Sequence, residues 1–312
     1  MPGAESIFLG IDGGGTKTDL IVGPARGEPL RRMRLGGGNV STLGEDRATE
    51  FFGDAIAEAA AGLPPLAGAF LGLAGSAANG IGARVAARLR ARFPELPIEI
   101  GPDIRCVIEV AEADGGCVAA ILGTGGCVYA DDGATLHRYG GWGWLVGDPG
   151  SGFSLGLDAV RACLAFEEGF GPGGALVDAV GAALGGPPTI DHVPAMQDGD
   201  RAAVAALAPL VLDAAEAGDP VARGILARNL EGVAKLVRAA RAAHPAAAAG
   251  PLVLGGGLCA RKDLLGPALR AALAPDAPPL LFPARDPVFG ALRRAARRAT
   301  SGTGLRTARA AW

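Results

Sequence analysis

Lysine is scarce in this chain of 312 residues: only Lys17, Lys235 and Lys262 occur, beside a formal net charge of −3. A mildly acidic chain lacks the electrostatic footprint of a nucleic-acid binder. The arginines near the C-terminus (Arg293, Arg294, Arg297, Arg298, Arg306 and Arg309) read as a solvated helix face followed by a frayed tail. Histidine is equally rare, and His137, His192 and His244 stand isolated, with no ligand spacing. The five cysteines (Cys106, Cys117, Cys127, Cys163 and Cys259) show no C-x-x-C pair, which argues against a zinc or iron–sulfur centre and for reduced, buried thiols. No apolar run reaches the roughly 18 residues of a membrane span. Met1–Glu5 carries no basic segment ahead of an apolar one, so no signal peptide is expected and the expected location is cytoplasmic.

Glycine, in contrast, is abundant at 51 residues. Its clusters follow short apolar runs, where α/β proteins place ligand-binding loops. The most informative cluster is Asp12-Gly13-Gly14-Gly15-Thr16-Lys17-Thr18, between the strand-like runs Ile7–Ile11 and Leu20–Val22. Consecutive glycines let backbone N–H groups face an anion without a Cβ in the way. The stretch is not a P-loop, because Thr16 precedes the lysine rather than following it, and it lacks the spacing of the dinucleotide fingerprint. An ordinary hairpin turn remains the plain alternative.

Strands alternating with helices indicate an α/β architecture. The pattern places helices over about Glu45–Ala61 and Ile81–Arg92, with strands at Ala69–Leu73 and Ile98–Ile100. The opening theme then returns as a strand at Val118–Leu122, a turn at Gly123-Thr124-Gly125-Gly126 and a strand at Cys127–Ala130. Two such units suggest an internal duplication, with two related domains each contributing a turn to one cleft. Further helices are expected over about Leu155–Phe166, Ala202–Ala217 and Pro220–Ala243, then a strand at Leu252–Leu254 before Gly255-Gly256-Gly257. Pro187–Pro188 and Ala246–Ala249 read as loops, and a last helix follows Asp286-Pro287.

Two Gly/Thr turns would surround a polyphosphate, with Lys17 adding charge and Thr16 and Thr124 hydroxyls. Asp12, at the end of the first strand, suits Mg²⁺ held through water, or else an Asx turn. Asp103 is the candidate general base for a phosphoryl acceptor; capping the helix that begins near Ile104 is the competing role. Asn39, Ser76 and Asp148 could meet a sugar's hydroxyls and Trp142 could stack on its ring, although Asn39 also suits a turn and Trp142 a core anchor.

In combination these motifs resemble the N-acetylglucosamine kinase and BadF/BadG-type ATPase branch of the actin-like, hexokinase-type superfamily. The resemblance also rests on Leu71-Gly72-Leu73-Ala74-Gly75 and on Gly140-Gly141-Trp142-Gly143 with Gly147-Asp148-Pro149-Gly150-Ser151. It implies two ribonuclease-H-like α/β domains with an interdomain cleft: residues 1–115, then residues 116–298, whose last helix could pack back on the first, and a disordered tail over 299–312. It further implies ATP phosphates on Gly13, Gly14, Gly15, Thr16, Lys17, Thr124 and Gly125, adenosine beside Gly255, Gly256 and Gly257, and Mg²⁺ near Asp12. The amino-sugar site would comprise Asn39, Gly75, Ser76, Asp103, Gly141, Trp142, Asp148 and Gly152, with Asp103 as base for the sugar 6-hydroxyl. A homodimer acting on a small amino sugar, N-acetylglucosamine foremost, is the expected form, with neither nucleic acid nor membrane as a partner. Glucosamine kinase, an ATPase activator of a 2-hydroxyacyl-CoA dehydratase and a non-catalytic sugar sensor are the alternatives. The chain departs from the family at Pro149, where a glutamate is usual, and at Pro102, where an asparagine is usual.

Overall fold

The computed structural model describes residues 6–113, 115–186 and 201–300. The chain divides into two compact units. One runs to Asp114 and resumes at Pro283, and the other spans Gly115–Phe282. The second unit therefore ends well before residue 298, because the helix Pro287–Thr300 belongs to the first.

The first unit holds a five-stranded sheet of β1 (Ile7–Gly13), β2 (Thr18–Pro24), β3 (Arg31–Leu35), β4 (Gly68–Leu73) and β5 (Ile98–Gly101), in the order β3-β2-β1-β4-β5. β1 pairs antiparallel with β2 and parallel with β4. β1, β2 and β4 are apolar at nearly every position because both sheet faces are covered. On one face Leu9, Ile11, Leu71 and Leu73 pack with Phe52 and Ile56 of the helix Glu45–Ala60 and Val85 and Leu89 of the helix Ile81–Arg92. On the other, Phe8, Ile21 and Phe70 meet Cys106 and Val288, Leu292 and Ala295 of the last helix.

The last helix carries a solvated basic face at Arg297 and Arg298, which are exposed, but Arg294 turns inward. Arg294 is half-buried, with Nη2 2.8 Å from Glu99 and Nη1 3.0 Å from the buried Glu109, while the exposed Arg297 reaches Glu109 (3.0 Å) and the exposed Arg298 reaches Glu99 (2.8 Å). The buried Glu109 is tolerated because it is paired. Arg306, Arg309 and the expected tail lie outside the described residues.

The second unit repeats the first strand for strand. Its sheet contains β6 (Cys117–Leu122), β7 (Gly126–Asp131), β8 (Leu136–Gly140), β9 (Leu252–Gly255) and β10 (Leu280–Leu281), in the order β10-β9-β6-β7-β8. The senses also match: β6–β7 and β7–β8 are antiparallel, β6–β9 and β9–β10 parallel. Val118, Ala120 and Leu122 of β6 form a core with the helices Gly152–Glu167, Ala208–Ala217 and Pro220–Ala243. The helix expected over Ala202–Ala217 is two helices, Arg201–Ala205 and Ala208–Ala217. Pro209 sits in the first turn of the second helix, where a missing N–H costs nothing. Of Ala246–Ala249, expected as loop, the first three residues fall in the short helix Pro245–Ala248. Pro187, Pro188 and His192 lie outside the described residues. Among the described residues, no helix is long and apolar enough to cross a membrane.

Candidate active site

In the first unit the glycine turn is a tight hairpin. Gly13 pairs with Thr18, and the Gly14 N–H donates to the Lys17 carbonyl (2.9 Å), leaving Gly15, Thr16 and Lys17 exposed at the tip. The Gly38 N–H donates to the Gly14 carbonyl (2.9 Å), so the glycine run Gly36-Gly37-Gly38 backs the hairpin. Lys17 Nζ lies 2.9 Å from Asp19 Oδ2, and Arg34 Nε donates to Asp19 Oδ1 at 2.7 Å. Burial alone would raise the Asp19 carboxyl, but the Arg34 and Lys17 contacts outweigh it and hold it below its ordinary value. Asp19 thus holds Lys17 of the hairpin and Arg34 of the neighbouring β3. The sequence reading passed over it; the signal was an acidic residue in an otherwise buried strand.

Asp12 pairs with Gly72 of β4, and Gly72 pairs with Gly101 of β5. Asp103 follows two residues later, so both aspartates stand at the carboxyl ends of parallel strands. Gly72 makes this approach feasible, because a Cβ there would begin 3.5 Å from the Asp103 Cα and collide with Cys106 Sγ. Asp103 caps the helix Ile104–Val110, its Oδ1 accepting from the Ile104 N–H (3.0 Å). Capping occupies one carboxylate oxygen, so it competes only in part with a role as base. Pro102 supports the same turn, its carbonyl accepting from the Arg105 N–H at 3.0 Å.

Both carboxyls are shifted towards neutrality. Burial raises Asp103 to about 6, opposed by its backbone N–H contacts. Burial raises Asp12 to about 7, with the charges of Asp103, Asp19 and Asp286 adding to it and Lys17 opposing. A lone carboxylate facing other carboxylates is the hard oxygen environment that suits Mg²⁺, so the donor set fits that ion.

Asn39 caps the short helix Val40–Leu43, its Oδ1 accepting from Ser41 N (3.0 Å) and Oγ (2.7 Å). Gly75 adjoins that Oδ1, and the Val40 N–H donates to Ala74 O (3.0 Å), which brings the Asn39 and Gly75-Ser76 loops together. Ser76 Oγ and Thr18 Oγ1 are buried hydroxyls with no hydrogen-bond partner. A hydroxyl so placed carries a desolvation cost that a ligand could offset.

In the second unit the turn Gly123-Thr124-Gly125 joins β6 to β7, with Leu122 paired to Gly126. The N–H groups of Gly152 and Phe153, opening a helix, donate to the carbonyls of Gly123 (2.7 Å) and Thr124 (3.2 Å). Ile121 pairs with Gly255 at the end of β9, which sets Gly255–Gly257 beside this turn. Gly256 has φ +99°, and a Cβ there would start 2.5 Å from the Leu122 carbonyl carbon, so only glycine fits.

Asp148 Oδ1 accepts from the Gly143 N–H (3.0 Å), and burial raises its carboxyl against that bond and one from Gly126. Trp142, beside Gly141, is 63% exposed, with the Arg138 guanidinium 4.5 Å over its ring. It is therefore a surface side chain and not a core anchor. Pro149 packs on Gly232 of the long helix, a local fit for the unusual proline. Two of the histidines taken as isolated, His137 and His244, are in fact stacked, with ring centroids 3.9 Å apart.

The first unit thus brings together Gly13–Lys17, Asp12, Asp103, Asn39, Gly75 and Ser76. The second brings together Thr124, Gly125, Gly141, Asp148, Gly152 and Gly255–Gly257. Two sheets of one topology, each bearing a Gly/Thr hairpin turn, define a two-domain α/β protein of the actin-like ATPase class. The chain belongs to the BadF/BadG/BcrA/BcrD ATPase family, which it matches over residues 9–276. It is 26% identical over 314 residues to the N-acetyl-D-glucosamine kinase of Dictyostelium discoideum, covering 92% of this chain and 97% of that protein. A proposed N-acetylglucosamine kinase of Chromobacterium violaceum has a similar structure, with TM-score 0.71, 29% identity, and coverage of 92% of this chain and 98% of the other. A counterpart of the same description from Porphyromonas gingivalis shares the fold at 18% identity, with TM-score 0.73 over 92% of this chain and 97% of its own.

Proposed function

We propose that this ATP-dependent sugar kinase transfers the γ-phosphoryl group of ATP to the 6-hydroxyl of N-acetylglucosamine. Likeness to N-acetylglucosamine kinases along nearly the whole chain supports the sugar. The observation that carries the chemistry is Asp103, a carboxyl at a strand end whose affinity for protons is raised to about 6. A base ionised at neutral pH, yet more basic than an ordinary aspartate, suits removal of a hydroxyl proton.

In this reading the sugar 6-oxygen attacks the γ-phosphorus and its proton passes to Asp103, through the oxygen left over from helix capping. ADP leaves with the electrons of the broken bond. The Gly13–Gly15 backbone, Thr16 and Lys17 bind phosphate oxygens, with Asp19 holding the lysine in place. Thr124 and Gly125 do the same from the second unit, and Gly255–Gly257 lie against adenosine. Asp12 would hold Mg²⁺ through water, and the ion would supply charge neutralisation on the phosphates. Asn39, Gly75, Ser76, Gly141, Asp148 and Gly152 contact the sugar's polar groups, and Trp142 covers its apolar face. Ser76 is the best supported of these, since its hydroxyl lacks a partner. A homodimer in the cytoplasm belongs to the same proposal and rests on the family resemblance.

A coupled ADP-release assay across N-acetylglucosamine, glucosamine, N-acetylmuramic acid and glucose tests it, with mass and NMR analysis of the product. The expected result is N-acetylglucosamine-dependent release of one ADP per 6-phosphate formed. Preference for another of the four sugars would overturn the substrate, and release independent of any sugar would overturn the kinase.

A further inference from the structure

Asp132, His137 and His244 form a cluster in the second unit that the proposed reaction does not use. Asp132 opens the turn between β7 and β8, where its Oδ1 accepts from the N–H groups of Ala134 (2.9 Å) and Thr135 (2.7 Å). Its other oxygen, Oδ2, lies 2.9 Å from His137 Nε2. His244 directly follows the helix Pro220–Ala243, and its ring stacks on His137 with 21° between the planes. One ligand atom from each residue lies within 4.8 Å of the others, and all three side chains are partly exposed. The Gly123–Gly125 turn is at the opposite end of β7, a strand about 17 Å long at 3.4 Å per residue.

We propose that Asp132, His137 and His244 form a binding site for a late divalent transition-metal ion, such as Zn²⁺, which ties the β7–β8 turn to the end of the long helix. Two imidazoles and a carboxylate are a borderline N/O ligand set, the kind that prefers such metals to Mg²⁺. The spacing is close. Tetrahedral ligands about 2.0–2.1 Å from one Zn²⁺ ion are about 3.3 Å apart, and His137 Nε2 and Asp132 Oδ2, now 2.9 Å apart, need to separate by only a few tenths of an ångström to admit the ion. The ion would take the place of the proton these atoms share. A modest turn of the partly exposed His244 ring would complete the set, with water in the remaining positions. Asp132 is already ionised, held down to about 2 by the Thr135 N–H first and then by His137 and Ala134. Burial and the neighbouring His137 keep His244 below its ordinary value, hence in the neutral form that binds metals.

The test is calorimetric titration of the metal-free protein with Zn²⁺ in the absence of nucleotide, with visible absorption of Co²⁺ as a second readout. One equivalent is expected to bind and to raise the melting temperature. His137→Ala, His244→Ala and Asp132→Asn should each weaken binding at least about tenfold. Asp132→Asn keeps the oxygen that closes the turn and so guards against misfolding. His192→Ala should bind as the parent does. Absence of a saturable equivalent, undiminished binding in the three variants, or loss of binding on removing His192 would overturn the proposal.

Discussion

Replacing Asp12 with asparagine should stabilise the metal-free protein, although it removes the carboxylate proposed to hold Mg²⁺. Asparagine keeps the size of aspartate and removes the charge that Asp103, Asp19 and Asp286 oppose. In the unfolded chain the acid ionises near 3.8, and in the folded protein burial, followed by those carboxylates, raises it to about 7. The folded state therefore binds the proton more tightly. Its contribution to stability is full below pH 3.8 and is lost as pH rises towards 7. A rise of that size corresponds to about 4 kcal/mol. Partial solvent access and relaxation reduce it to an expected gain of roughly 1–3 kcal/mol for Asp12→Asn at pH 8. At pH 5 the gain should be smaller, because the folded-state acid is then protonated. Urea unfolding followed by far-UV circular dichroism in EDTA, at both pH values, gives the comparison. Destabilisation at pH 8, or an equal gain at pH 5 and pH 8, would refute the reasoning. Under the proposed mechanism the same variant should lose kinase activity, because it removes the carboxylate that would hold Mg²⁺ at the phosphates.

The pH profile of kcat/KM should rise through an inflection near 6, where Asp103 ionises, with Asp12 broadening it as the two charges interact; a profile flat from pH 5 to 8 would contradict the base. Replacing Thr16 and Lys17 together with alanine should raise the KM for ATP more than that for sugar, and the reverse pattern would contradict the phosphate turn. Gly256→Ala should lower stability by about 1–3 kcal/mol in thermal melts, because the residue sits at φ +99° against the Leu122 carbonyl; an unchanged melting temperature would contradict that packing.

The parts of the fold legible in the sequence were those with strong local signals. Glycine-rich turns bounded by apolar runs marked both hairpins, and the echo of Gly13–Thr18 at Gly123–Gly126 anticipated two sheets of one topology. β3 was missed because its alternating Arg31–Leu35 sequence is that of a charged edge strand. β8, the other edge, contains His137 and Arg138 and was missed for the same reason. Among the C-terminal arginines Arg294 misled, because its partners, Glu99 and Glu109, come from distant elements, and no local pattern announces a long-range ion pair. Asp103 was legible as a residue at a strand end, whereas its basicity depends on burial, which spacing does not reveal. Asp19 and Arg34 needed the strand register to bring them together, and the Asp132–His137–His244 cluster needed the packing of the long helix against β8.

The most direct test of the central claim is the turnover of Asp103→Asn with ATP and N-acetylglucosamine, measured alongside binding of both. The variant should bind both substrates as the parent does and release ADP at least about 10²-fold more slowly, the scale of a lost general base. Near-parental turnover with intact binding would contradict the account.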